Sequence, residues 1–161
     1  MSEVHVVGAM IVKNEAENLP ALFASARGVV DAWVIVDTGS MDGTINVART
    51  LGQELSIPVH IIEDPWDDDF ARSRNVGLTA VEEIAAASEW GDPWILIIDG
   101  DDRIDGDRKA FRDALLDPDP RIGVIGLPVR SRIGKSREDT LQPRLWRVSS
   151  GVRYKHRVHM V

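Results

Sequence analysis

The sequence predicts an α/β protein, a mostly parallel sheet flanked by helices with a small antiparallel extension at its C-terminal end. Strand-like and helix-like segments alternate from Val4 onward as β-α-β-α-β-α-β before several short strands follow. The run Trp94-Ile95-Leu96-Ile97-Ile98 is too continuously apolar to be anything but a buried strand. Its end, Asp99-Gly100-Asp101-Asp102, and the earlier Asp37-Thr38-Gly39-Ser40 put carboxylates at strand C-termini, the edge where open α/β sheets place their ligands.

Val4 to Val12 reads as the first strand, built from small and β-branched residues. Asn14 is expected to cap a helix opening at Glu15, with Glu17 at the capping-box position and Leu19, Leu22, Phe23 and Ala26 on one face. Pro20 delays the regular part of that helix, and Gly28 ends it. Trp33 to Val36 is the second strand. Asp42-Gly43 leads into a helix running to about Leu51 with Gly52 as its stop, and Pro58 to Ile62 is a short third strand. Phe70 to about Ala87 is a helix, with Phe70, Gly77, Leu78, Val81 and Ile84 at helical spacing. After the Trp94 to Ile98 strand come a helix around Asp107 to Leu116 and a turn punctuated by Pro118 and Pro120. Three strand candidates follow, Gly123 to Arg130, Gln142 to Val148 and Val152 to Val158.

The chain of 161 residues, 43% hydrophobic and 28% charged, suits one domain over 1–161 with a real core. A net charge of −7 without a long Lys/Arg block argues against a general nucleic-acid partner. Basic residues gather after Arg121, as they would if an anionic ligand lay between that region and the acidic middle. With no Cys, disulfides and thiolate zinc sites are excluded. No secretory signal and no apolar run of membrane-spanning length is visible, so the expected location is cytoplasmic; a homodimer stays compatible with the sequence. The last strand candidate ends close to Val161 with no closing helix, as in a truncated or unusually compact form.

Carboxylates crowded at the tip of a buried strand repel one another unless a cation neutralises them. Asp99-Gly100-Asp101 is therefore suited to a divalent ion that grips a diphosphate, although a solvated acidic turn has the same letters. Asp37 either accepts from a base N–H or ribose hydroxyl, or caps its own turn. Asn14 is a cap or a ligand; Glu15 either complements the helix dipole or contacts a nucleoside. Arg74 pairs with the run Asp67-Asp68-Asp69 or forks onto a phosphate or base. Arg144, Arg147 and Arg153 counter a diphosphate or are merely solvated.

Four segments line up in order: Met10-Ile11-Val12-Lys13-Asn14-Glu15, Val36-Asp37-Thr38-Gly39-Ser40-Met41-Asp42-Gly43-Thr44, Trp66 to Asn75 with Phe70-Ala71-Arg72-Ser73-Arg74-Asn75, and Ile98-Asp99-Gly100-Asp101-Asp102. With them the chain resembles the family 2 glycosyltransferases of the GT-A fold, over about residues 4 to 104. The likeness continues through Pro143-Arg144-Leu145-Trp146-Arg147 and Tyr154 to His159. The resemblance implies a nucleotide-binding half, 1–104, and an acceptor-side half, 105–161. It implies a metal-dependent, inverting transfer from a nucleoside-diphosphate sugar, a UDP-sugar by preference, to an unknown acceptor. Donor contacts would come from Val12, Asn14, Glu15, Asp37, Arg74, Asp99, Gly100 and Asp101. Mn²⁺ or Mg²⁺ would sit on Asp101, with His159 as a further ligand, although Met160 stands where the related pattern has Glu.

Inversion by single displacement needs a carboxylate base facing the sugar. Beyond Asp102, Asp105 and Asp107 look like caps, Asp113 lies along a helix, and Asp117 and Asp119 fall in the Pro-rich turn. Glu138-Asp139, expected in a polar loop from Gly134 to Thr140, leaves Asp139 as the candidate base. A nucleotidyltransferase is disfavoured because Met10 to Asn14 has no glycine. The alternative is a catalytically silent module that binds nucleotide sugars.

Overall fold

The computed structural model describes residues 3–116, 119, 121–133 and 136–157. The elements are β1 (Val6–Val12), α1 (Leu19–Ala26), β2 (Ala32–Asp37), α2 (Thr44–Leu55), β3 (Val59–Glu63), α3 (Phe70–Ala87), β4 (Trp94–Ile97), α4 (Arg108–Leu116), β5 (Val124–Ile133) and β6 (Ser136–Arg147), then a 3₁₀ turn over Val148–Ser150. They form a six-stranded sheet of order β3-β2-β1-β4-β6-β5. The pairs β1/β2, β2/β3 and β1/β4 are parallel; β6 runs antiparallel to both β4 and β5.

Side-chain alternation along the strands sorts the core into two layers. Val6, Met10, Trp33, Ile35, Trp94, Leu96 and Leu145 pack with Leu19, Leu22, Phe23 and Ala26 of α1, Ala48 of α2 and Leu115 of α4. Val7, Ala9, Val34, Ile95, Ile97 and Trp146 pack with Leu78 and Val81 of α3. Each fully buried aliphatic side chain contributes about 1.5–3 kcal/mol by leaving water. Gly8 is needed where it stands, since a Cβ there would meet the Trp33 ring at 2.5 Å. Across the three parallel strands, Val12, Asp37 and Glu63 are register partners, so their ends share one edge of the sheet.

Several local expectations shift. The first strand starts at Val6. Asn14 does not cap a helix: its φ is +57°, its Oδ1 accepts from Met41 N at 2.8 Å, and α1 begins only at Leu19 after a turn over residues 16–18. Pro20 explains the delay, because it tolerates only the first turn of a helix. Gly52 does not stop α2; it is buried within it, where a Cβ would meet Val59 at 2.5 Å, and Ser56 ends the helix in the left-handed conformation. Residues 152–157 form no strand. Glu138 and Asp139 lie inside β6 rather than in a loop, because β5 and β6 continue as a paired ribbon past the end of β4.

Candidate functional site

At the edge where β1, β2 and β3 end, the loops after β1 and β2 are stitched together. Asn14 N donates to Ser40 Oγ, Glu15 N to Thr44 Oγ1 and Ala16 N to Asp42 Oδ2. Asp42 Oδ1 also accepts from Thr44 N and Oγ1, which opens α2 after the left-handed Gly43. The φ of +107° at Gly39 completes the turn after β2.

Asp37 is 3% exposed at the tip of β2. Its Oδ1 accepts from Gly39 N and Ser40 N, both at 2.9 Å, so it does hold its own turn. Its Oδ2 is buried with no hydrogen-bond partner among the described residues. A buried carboxylate oxygen left unbonded costs free energy unless something outside the chain satisfies it.

The next strand end carries the densest charge. Arg74, 8% exposed on α3, donates through Nη2 to Asp99 Oδ1 at 2.5 Å, while its Nη1 is buried and has no partner among the described residues. The alternative in which Arg74 pairs with Asp67 to Asp69 is not what forms; its partner is Asp99. Arg72 instead serves that region, forking onto Asp64 at 2.6 and 3.0 Å and reaching Asp67 at 3.3 Å. Arg144 of β6 lies 3.3 Å from Asp99 and 3.4 Å from Asp102. Burial raises the Asp99 carboxyl, but Arg74 and then Arg144 outweigh it and hold it below the usual carboxylate range. Burial dominates at Asp102 and pushes it up. Asp101 projects outward without a hydrogen bond or ion pair to any described residue. Gly100 is buried against Glu15, whose Cγ a Cβ would meet at 2.8 Å. Glu15 in turn accepts from Asn18 Nδ2 at 2.7 Å.

The structure therefore brings Asn14, Glu15, Asp37, Arg74, Asp99, Gly100 and Asp101 to neighbouring strand ends, with Val12 closing β1 beside Asp37. Asp139 sits apart on β6, paired to Arg130 of β5 with Nε–Oδ1 at 3.0 Å. It does share a cavity of about 620 Å³ with Asp101, Asp102 and Arg144, floored by Leu96, Ile98 and Phe111. Of the late arginines only Arg144 joins the site. Arg147 lies over the Trp94 ring at 4.7 Å, and Arg153 pairs with Glu82. His159 lies outside the described residues. Among the described residues no group of three or more His, Asp or Glu side chains forms a ready-made metal cage.

Two partners escaped sequence reasoning. Asn75 holds the backbone of Tyr154, 79 residues away, through two hydrogen bonds. Asp64, buried at the end of β3, anchors Arg72 and Ser73 at the start of α3. Nothing in local spacing announces either contact.

Glycosyl transferase family 2 matches residues 9–156. The chain belongs to this family and is a glycosyltransferase domain of it. It is 32% identical over 150 residues to a TPR repeat-containing protein of Synechococcus elongatus, covering 93% of this chain and 33% of that protein. An uncharacterized glycosyltransferase of Rickettsia prowazekii is 27% identical over 95 residues, 59% of this chain and 27% of its own length. The chain thus spans a third or less of these relatives. Among solved structures, TarS of S. aureus superposes with a TM-score of 0.59 at 18% identity, over 91% of this chain and 29% of that one. The mannosyltransferase PcManGT of Pyrobaculum calidifontis, in complex with GDP-Man and Mn²⁺, gives 0.58 at 19% identity, over 76% and 35%. These likenesses carry the fold, a GT-A type sheet with an antiparallel β4-β6-β5 edge. No described helix is long and apolar enough to cross a membrane.

Proposed function

We propose that this domain binds a uridine-diphosphate sugar at the ends of β1, β2 and β4 and transfers the sugar, with inversion, to an acceptor entering the cavity beside Asp139. The observation that carries the choice of base is the single unsatisfied oxygen of Asp37. With Oδ1 committed to Gly39 N and Ser40 N, only Oδ2 can accept. One buried acceptor suits the lone imide N–H of uracil, whereas guanine offers adjacent donors that would call for both carboxylate oxygens. Arg74 Nη1, equally unpartnered, supplies a donor for a carbonyl or phosphate oxygen.

Asp101 is the free carboxylate for Mn²⁺ or Mg²⁺, and these hard cations accept one or two carboxylates together with substrate phosphates, so a lone Asp fits the group. A bound ion would offset the charge of the departing diphosphate. Arg144 and Arg74 orient Asp99 on the inner side of the same turn, which leaves Asp101 facing outward. Asp139, which lines the same cavity, takes the acceptor's proton in this reading.

Calorimetric titration with UDP and with GDP, both in excess Mg²⁺, tests the reading. UDP is expected to bind the more tightly. Asp37→Asn keeps an oxygen for the turn but presents an NH₂ to the base, and should weaken UDP by roughly tenfold or more. GDP binding as tightly as UDP overturns the base assignment. Release of free UDP from a UDP-sugar separates a transferase from a silent binding module.

A further inference from the structure

The segment after β6 returns along α3 and is fastened to it at three levels. Arg153 pairs with Glu82, Asn75 grips Tyr154, and Phe70 N donates to the carbonyl of Arg157 at 3.0 Å. The middle fastening differs in kind from the others. Asn75 Nδ2 donates to the Tyr154 carbonyl and Asn75 Oδ1 accepts from the Tyr154 N–H, both at 2.9 Å. A side-chain amide thereby imitates a neighbouring strand and fixes both the position and the rotation of one residue's backbone. Asn75 directly follows Arg74, so consecutive residues of α3 hold the Asp99 carboxylate and the Tyr154 backbone.

The Tyr154 ring packs beside Trp146 of β6, with ring centroids 6.2 Å apart, and joins the apolar layer under α3. Its hydroxyl end lies close enough to Arg74, Arg144 and Asp99 to sense all three charges. Burial raises the phenol's pKa above the ordinary tyrosine value and the two arginines only temper this, so the hydroxyl stays protonated at neutral pH. It makes no hydrogen bond to any described residue. For packing alone a phenylalanine would serve equally; the oxygen, half-buried and within electrostatic reach of two guanidinium groups, bonds nothing among the described residues.

We propose that Tyr154 is a donor-binding residue whose hydroxyl, set in place by Asn75, donates to an oxygen of the nucleotide's diphosphate between Arg74 and Arg144. This rests on the nucleotide-sugar reading above and adds to it a residue from the opposite end of the chain. Asn75 acts through Tyr154 and is a positioning residue.

The chain has a single tyrosine, so a ring-¹³C tyrosine label reports Tyr154 alone. Titrating the labelled protein with UDP and Mg²⁺ should move that resonance, whereas uridine, which lacks the diphosphate, should leave it in place. In calorimetry, Tyr154→Phe should weaken UDP by roughly tenfold, the size of a hydrogen bond to a charged group, with uridine affinity and the ligand-free Tm unchanged. Asn75→Ala should weaken UDP similarly, and the double variant should lose no more than either single one, since both act through one contact. Wild-type UDP affinity in Tyr154→Phe overturns the proposal, as does an equal loss for UDP and uridine. A fall in ligand-free Tm that accounts for the whole loss overturns it too, because a purely structural tyrosine behaves so. Failure of the wild-type protein to bind UDP at all would instead overturn the nucleotide-sugar reading on which it stands.

Discussion

Arg74 Nη2 and Asp99 Oδ1 stand 2.5 Å apart, and this ion pair divides the labour of the Asp-Gly-Asp turn. Asp99 is claimed from both sides, by α3 through Arg74 and by β6 through Arg144 at 3.3 Å. Asp101, two residues on, faces out and pairs with no described residue. One carboxylate therefore organises the protein's own cations while the other is free for an added one.

Arg74→Lys keeps a positive charge for Asp99 but removes the second nitrogen of the fork. The buried, unpartnered Nη1 is the atom whose loss matters to a ligand. UDP affinity should fall by roughly tenfold while Tm changes little. Calorimetry beside a thermal melt checks this, and the reverse pattern would show that the guanidinium serves only the fold.

Asp99 also sets part of the acid response. Its folded-state pKa lies below the unfolded value of about 3.9, so its contribution to stability is fully present above that value. The contribution is lost as pH falls through the lower, folded value. Asp102 has the opposite sign: its raised pKa lets the folded state keep a proton longer, which favours folding below its folded value and not above. In urea titrations across the acid range, Asp99→Asn should flatten the loss of stability with falling pH relative to wild type. An unchanged slope rules out the pairing as its source.

Asp101→Ala removes an exposed carboxylate with no hydrogen bond or ion pair among the described residues, so ligand-free Tm should stay put. In the wild-type protein UDP should raise Tm only with Mn²⁺ or Mg²⁺, by an amount equivalent to about 2.7 kcal/mol at a hundredfold excess over Kd. The variant should lose that metal dependence. Equal stabilisation by UDP in wild type with and without EDTA would refute the metal's role at Asp101.

Asp139→Asn breaks an exposed cross-strand pair with Arg130, which solvent screening makes worth little to stability. Stability and UDP affinity should be nearly unchanged, whereas transfer to an acceptor should drop by about 10²–10⁴-fold, as for a lost general base. Full transfer by the variant would place the base elsewhere.

Much of this was readable along the chain, for a local reason. The apolar runs, the glycines after β2 and the span of α3 depend on neighbours a few residues away. Asp69, for example, accepts from Arg72 N and so starts α3 at Phe70, where helical spacing places it. The strand-end carboxylates were legible because charge at the tip of an apolar strand is conspicuous in any context. Asn14 misled for the same reason: a capping residue three places before a Glu was a sound local signal, overridden by the long-range bond from Met41 N.

The order of the residues alone was enough for the alternation of elements, the sheet edge that bears the candidate site and the family to which the chain belongs. Which side chains become partners emerged only on folding. Arg74 chose Asp99 over the nearer Asp67 to Asp69 because α3 lies across β1 and β2 and brings that face of the helix to the tip of β4. Asp139 passed from loop to strand because β5 and β6 pair along their length beyond the sheet, a non-local registration that composition does not reveal. Asn75 met Tyr154 across 79 residues for the same reason. Side chains so far apart meet only once the layers have packed, and the order in which the strands pack sets who meets whom.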